Sequence, residues 1–314
     1  MIKLKTFGSF TVGNGLTSVQ EGAWRSEKLE KLFVYLAMNR NRGVCIEDIS
    51  EAIWQVEEET DNPVGALKNL AYRLRKALRD ASFGEECIVS VRGGLYKWND
   101  DVEVTIDVEE FDRYINEAEF AFSRSKETAI ESYEKAIALY NGDFLSRLTD
   151  THWFMTLNAF YHSRYVNTVK ALAKLYIDTG CYEKLEQLCT RAIVYERSDE
   201  QIYSYLIVAR MRTKKVQMAF DTYETAKAIM DKDLGVRKTV MLNKVYEELL
   251  SVTKGVSSYN IDEVKDDISE ESMNGVFMCG YPVFKEIYHL EVRKSARSTV
   301  PERLVLVTVV PMYS

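Results

Sequence analysis

The spacing of apolar positions changes character along the chain. Residues 1–13 alternate polar and apolar side chains and contain Gly8 and Gly13, which predicts short strands joined by turns. Behind Ser26, a residue suited to an N-cap, Leu29, Leu32, Phe33, Leu36 and Ala37 recur at helical spacing. A helix is predicted from about Ser26 to Asn39, with Gly43 closing the unit. Ile46, Ile49, Ala52 and Ile53 predict a second helix to about Trp54, and the acidic loop Glu57-Glu58-Glu59-Thr60-Asp61 follows. Asn62-Pro63 pairs a capping residue with proline at the first helical position and opens a third helix that runs to about Asp80. The inner stripe of that helix is Leu67, Leu70, Ala71, Leu74 and Leu78. Two short alternating runs, Ile88 to Arg92 and Leu95 to Trp98, flank Gly93-Gly94 and predict a β-hairpin. Strands, three helices and a hairpin in that order make a winged helix-turn-helix.

From about Ile106 onward the period is helical throughout, and it repeats. Ala129, Tyr133 and Ala136 share their spacing with Ala219, Tyr223 and Ala226. Leu185, Cys189 and Ala192, Leu172 against Leu206, and Tyr182 against Val216 are displaced by the 34 residues of a tetratricopeptide unit. Small residues at such positions let paired helices approach, and the aromatic fills the gap between neighbours. Turns are predicted at Asn141-Gly142-Asp143, Thr179-Gly180 and Leu234-Gly235, and a last helix from about Thr239 to Ser251 caps the array. Residues 253–274 are acidic and read as a linker. Residues 275–314 hold an apolar run, an amphipathic helix and a strand-like segment, too little to bury their own faces. Either the chain stops inside a domain there or the segment packs on something else. The expected fold is mainly α: an α/β winged helix over 1–100, TPR-like α-helical repeats over 101–252, the linker, and the start of a further α/β domain.

Charge changes this picture in one place. The formal net charge is −7, which by itself argues against nucleic acid. Yet Asn62 to Trp98 carries seven basic residues (Lys68, Arg73, Arg75, Lys76, Arg79, Arg92, Lys97) against three acidic ones (Asp80, Glu85, Glu86), a net of +4. A phosphate backbone feels this local patch, because exposed charges act over about 10 Å. The outer stripe of the third helix is Lys68, Asn69, Tyr72, Arg75, Lys76 and Arg79, with Arg73 at its border. In a major groove Asn69 is suited to adenine and Arg73 to guanine, with Lys68 and Tyr72 beside them. Arg75, Lys76 and Arg79 are placed for phosphates, and Arg92 at the hairpin tip for a phosphate or an A·T-rich minor groove. The acidic Glu57, Glu58 and Glu59 read either as a solvated turn or as a contact with a basic surface of RNA polymerase.

Other chemistry is thin. Five scattered cysteines without a CxxC pair read as reduced thiols, and the three histidines have no metal-ligand spacing. Trp24 and Trp54 read as core anchors. No GxGxxG, Walker or GxSxG motif occurs, so neither catalysis nor a cofactor or metal is expected. The N-terminus lacks the apolar core of a signal peptide and no apolar run spans a bilayer, so a cytoplasmic protein is expected, with no membrane partner.

These residues resemble a known family. Leu67-Lys68-Asn69-Leu70-Ala71-Tyr72-Arg73-Leu74-Arg75-Lys76-Ala77-Leu78 is similar to the recognition helix of the OmpR-type winged helix in the streptomycete antibiotic regulatory proteins, a phosphorelay-like output domain. Val91-Arg92-Gly93-Gly94-Leu95-Tyr96 is similar to that family's wing, with Leu95 in place of the second glycine. Residues 107–250 resemble the bacterial transcriptional activation domain that follows such winged helices. The matching pieces include Asp107 to Phe111, Tyr140 to Leu145, Trp153 and Leu234-Gly235-Val236. Thr213-Lys214-Lys215 departs where the family often has glycine, and Lys238 where it often has proline. The tail resembles the opening of a diguanylate-cyclase-like domain without its catalytic loop. The resemblance implies a sequence-specific activator that binds double-stranded DNA as a homodimer and recruits RNA polymerase through the loop before the third helix. The alternative is a TPR-type interaction scaffold with a vestigial winged helix.

Overall fold

The computed structural model describes residues 1–55, 62–84, 87–90, 94–234, 239–256 and 287–290. They fall in two units, Met1–Val256 and Ser257–Ser314. In the second unit only residues 287–290, an exposed helical turn, are described. The linker expected over 253–274 and the domain expected over 275–314 otherwise lie outside the described residues, except that 253–256 complete the last helix of the first unit.

The first unit opens with three strands, β1 (Ile2–Lys5), β2 (Thr11–Gly13) and β3 (Ser18–Gln20). Three helices follow, α1 (Glu27–Met38), α2 (Ile46–Ile53) and α3 (Pro63–Asp80), and then the hairpin β4 (Ile88–Ser90) and β5 (Tyr96–Trp98). A sixth strand, β6 (Val104–Ile106), lies beyond the expected domain border at residue 100 and pairs in parallel with β1. The sheet order is β3-β2-β1-β6, with the other pairs antiparallel. Neither β3 nor β6 is long enough to show alternation, so sequence pattern does not announce them.

The predicted inward residues of α1 and α3 are all buried, and in α2 only Ile46 stays half-exposed. The apolar stripe therefore does what a 3.6-residue period allows, placing leucines on one face against a common core. α1 goes further, since Glu30 and Lys31 on its other side are also buried, each about 1% exposed. Lys31 there meets Asp150 and Phe154 of the repeats, and Glu30 accepts from the Gly22 amide at 2.7 Å.

The repeats form helical hairpins: α4 (Asp107–Ala121) with α5 (Lys126–Leu139), α6 (His152–Thr179) with α7 (Tyr182–Tyr195), and α8 (Glu200–Arg212) with α9 (Val216–Leu234). α10 (Val240–Val256) packs on the last pair, with Tyr246 stacked on Tyr223 at 4.2 Å between ring centroids. α7 and α9 begin at Tyr182 and Val216, the equivalent positions of the repeat. Ala129, Ala136, Leu185, Cys189, Ala192, Ala219 and Ala226 are all fully buried, so the small-residue positions are where helices meet. The mainly α fold, winged helix followed by TPR-like repeats, is as expected. At Lys214, where the family often has glycine, the backbone takes a left-handed conformation with φ of 62°.

A polar and aromatic seam joins winged helix to repeats within this unit. The buried carboxylate of Asp107 accepts from the Thr6 amide (2.8 and 2.9 Å), the Thr6 hydroxyl (2.6 Å) and the amides of Phe7 and Val108 (both 3.0 Å). Burial pushes its pKa above the ordinary carboxylate value, while the donors from Phe7, Thr6 and Val108 pull it back. Phe7 meets Phe111, Tyr140 and Tyr161 at 4.9 to 5.7 Å. Gly8, at φ +87°, touches the loop after α5 so closely that a Cβ there would stand 2.8 Å from the Asn141 carbonyl oxygen. Lys31 is bonded to Asp150, and Arg40 grips Glu109 with two bonds of 2.5 and 2.7 Å. α6, about 42 Å long at 1.5 Å per residue, starts against α2, where Thr151 donates to the Ala52 carbonyl at 2.8 Å, and ends inside the repeats. Among the described residues no helix is long and apolar enough to cross a membrane.

Candidate nucleic-acid interface

α3 is built from its ends inward. Asn62 caps it, its Oδ1 accepting from the Gly65 amide at 2.8 Å, and Pro63 occupies the first turn. At the other end the β2–β3 turn holds the last carbonyls: Asn14 Nδ2 donates to Ser82 at 3.1 Å and Thr17 Oγ1 to Ala81 at 2.9 Å. Between these clamps the five inner residues are buried, and the opposite face meets solvent. Lys68, Asn69, Tyr72, Arg73, Lys76 and Arg79 are exposed, Tyr72 by 63%. A helix with a leucine floor and a cationic roof cannot turn over without burying charge, so this face is fixed outward.

Arg75 differs from the rest of the stripe. It is half-buried, and its Nε donates to the Ile88 carbonyl of β4 at 3.2 Å. The expectation that it stands with Lys76 and Arg79 as a phosphate contact does not anticipate this bond. The wing beside it is an antiparallel hairpin, pairing Ile88 with Trp98, Val89 with Lys97 and Ser90 with Tyr96. On its other edge β5 is bonded to the turn before α2, where Val44 and Tyr96 exchange N–H···O bonds of 2.7 and 2.8 Å. Arg92 and the acidic Glu57, Glu58 and Glu59 lie outside the described residues.

One exposed residue of this surface escapes a reading centred on charge. Val64, 43% exposed, lies one turn before Lys68 on the same face of α3. Its only signal is position, an apolar side chain in the first turn that the inner stripe does not use. Trp24 and Trp54 are half-buried against the core, and Trp24 meets Phe10 and Phe33 at 5.3 and 5.5 Å, as anchors do.

Comparison with known proteins gives this geometry its context. Residues 106–250 match the family described as the bacterial transcriptional activator domain. The transcriptional regulator RedD of Streptomyces coelicolor is 23% identical over 238 residues, covering 75% of this chain and 67% of RedD. Residues 106–250 thus carry this activator domain. A winged helix followed by helical repeats is also the order that the resemblance to the streptomycete antibiotic regulatory proteins implies. The fold of the chain is that of Mycobacterium tuberculosis EmbR, solved in complex with a low affinity phosphopeptide. The TM-score is 0.61 at 19% identity, over 80% of this chain and 65% of the EmbR chain. The chain thus spans about two thirds of the length of each of these relatives.

Proposed function

We propose that the chain is a sequence-specific DNA-binding activator, with α3 in the major groove and the hairpin at its flank. The observation that carries this reading is the outward cationic face of α3, which lies opposite a fully apolar floor. Lys68, Asn69, Tyr72 and Arg73, with Val64 ahead of them, occupy the half of α3 that enters first. Asn69 matches the edge of adenine, Arg73 that of guanine, and Val64 a thymine methyl. Lys76 and Arg79 neutralise phosphates, and Arg92 extends the contact from the wing. Two copies bind as a homodimer on repeated half-sites. Glu57, Glu58 and Glu59 meet a basic surface of RNA polymerase. The activity is recruitment, without a reaction or cofactor of its own, in the cytoplasm.

Selection of bound sites from random duplex DNA tests the reading and delivers the motif. We expect one recurrent sequence, bound with an affinity that falls steeply with salt, each neutralised phosphate adding about −0.9 to the log–log slope. Recovery of no sequence, with no salt-dependent duplex binding, would overturn it in favour of an interaction scaffold with a vestigial winged helix.

A further inference from the structure

The hairpin beside α3 is held from two directions. From the recognition helix, Arg75 Nε reaches the carbonyl of Ile88 on β4. From the turn before α2, Val44 is bonded to Tyr96 in both senses, so β5 is paired on both of its edges. Leu95 seals the second anchor. A Cβ on Gly43 would stand 3.3 Å from Leu95 Cδ1 and 3.5 Å from Leu95 Cβ, so the leucine lies directly on the glycine. This is the leucine that stands where similar wings have glycine. The substitution adds a contact at the turn end of β5.

We propose that Arg75 is a positioning residue that sets the angle between α3 and the wing, so that both elements meet DNA at one fixed spacing. The proposal rests on the DNA-binding reading above and deepens it. An arginine on the outer stripe would ordinarily extend toward phosphate, yet this one is half-buried and spends its Nε–H on the wing backbone. A hairpin tied at β4 by Arg75 and at β5 by Val44 and Leu95 has little freedom to hinge. The base pairs read by α3 and those met by the hairpin are then coupled in register, and the operator is read as one unit.

The test uses the full chain and a duplex carrying the selected site, together with a second duplex with one base pair inserted between the α3-contacted and hairpin-contacted positions. Wild type is expected to lose about tenfold in affinity on the insertion, the scale of one lost base contact. Arg75→Met is expected to bind the original duplex more weakly but to lose less than about twofold further on the insertion, because its wing can follow the DNA. Its salt slope stays that of wild type, whereas Lys76→Met makes the slope less negative by about 0.9. Leu95→Gly, which frees the opposite anchor without touching charge, is expected to tolerate the insertion in the same way and serves if Arg75→Met fails to fold. The proposal is overturned if Arg75→Met makes the salt slope shallower as Lys76→Met does while keeping the full insertion penalty, since Arg75 is then a phosphate contact. A wild-type chain that binds no duplex overturns both this proposal and the reading beneath it, and is told apart by that control alone.

Discussion

Lys31 and Lys76 belong to the same small winged helix, and both sit on helices whose apolar stripe faces its core. Lys31 is about 1% exposed, bonded to Asp150 and 5.8 Å from the Phe154 ring. Lys76 stands in solvent on the far side of α3. Arg40 and Arg73 repeat the contrast, one gripping Glu109 across the seam and the other exposed. A cation taken out of water must be paired, and leaving its partner alone is costly. A cation in water adds little to stability but keeps its charge for a polyanion. Residues of one chemical type thus hold the domain to the repeats on one side and, in our reading, hold DNA on the other.

That contrast is open to direct measurement. Asp107→Ala strands the donors of Thr6, Phe7 and Val108 in the seam, and is expected to cost on the order of 3 kcal/mol or more. Urea unfolding reads the loss, and a midpoint equal to wild type would break the seam side of the comparison. Lys31→Ala is expected to cost about 2 kcal/mol, below the roughly 3–5 kcal/mol of a fully buried pair. The reason is that Asp150 keeps 35% of its side chain in water and a 2.9 Å bond from Gln55. On the solvent side, Arg73→Ala is expected to weaken binding to the selected site by about 1–3 kcal/mol, measured by fluorescence anisotropy. It should shift the unfolding free energy by less than about 0.5 kcal/mol. A destabilised Arg73→Ala would mean that α3 does not face outward.

His162 supplies a smaller, pH-dependent check within the repeats, behind the seam. Its Nδ1 lies 2.8 Å from Asp143 and its Nε2 3.1 Å from Glu196, with the Tyr140 hydroxyl at 3.4 Å. Burial pulls the imidazolium pKa down, but the bonds to Glu196 and Asp143 together outweigh it and carry the pKa above its ordinary value. A raised folded pKa means stabilisation that is complete below about pH 6.5 and fades as pH rises through the folded value. Wild type should therefore lose stability across neutral pH relative to His162→Gln, and parallel profiles would show that these bonds do not hold the repeats. Lys214→Gly, far from both surfaces, is expected to change least. It relieves a left-handed backbone worth about 1 kcal/mol and loses part of that to chain entropy, so a melt should rise by a few degrees at most.

Much of the molecule is legible in its amino-acid sequence. The inner stripe of α3 is five residues at one helical period, and all five are buried. The outer stripe follows from the same period, because a helix with one apolar face has only one way to sit on a core. Asn62-Pro63 marks the start of that helix to the residue. The 34-residue displacement places Tyr182 and Val216 at equivalent helix starts, since stacked hairpins must bring equivalent residues to equivalent contacts. At Arg75 the period gives only the outer stripe, and the bond of its Nε to a strand 13 residues away comes from the tertiary structure.

What the chain determined by itself is therefore the set of faces: which side of each helix seeks apolar company and which side carries charge. Period and capping are local properties, readable within one or two turns. Tertiary structure alone decided what each polar face meets. Thr6 finds Asp107 across 101 residues, Lys31 finds Asp150 across 119, and β6 finds β1 from the far side of three helices and a hairpin. A lysine has the same side chain in both settings, and only the arrival of a distant carboxylate in a dry seam makes one of them structural.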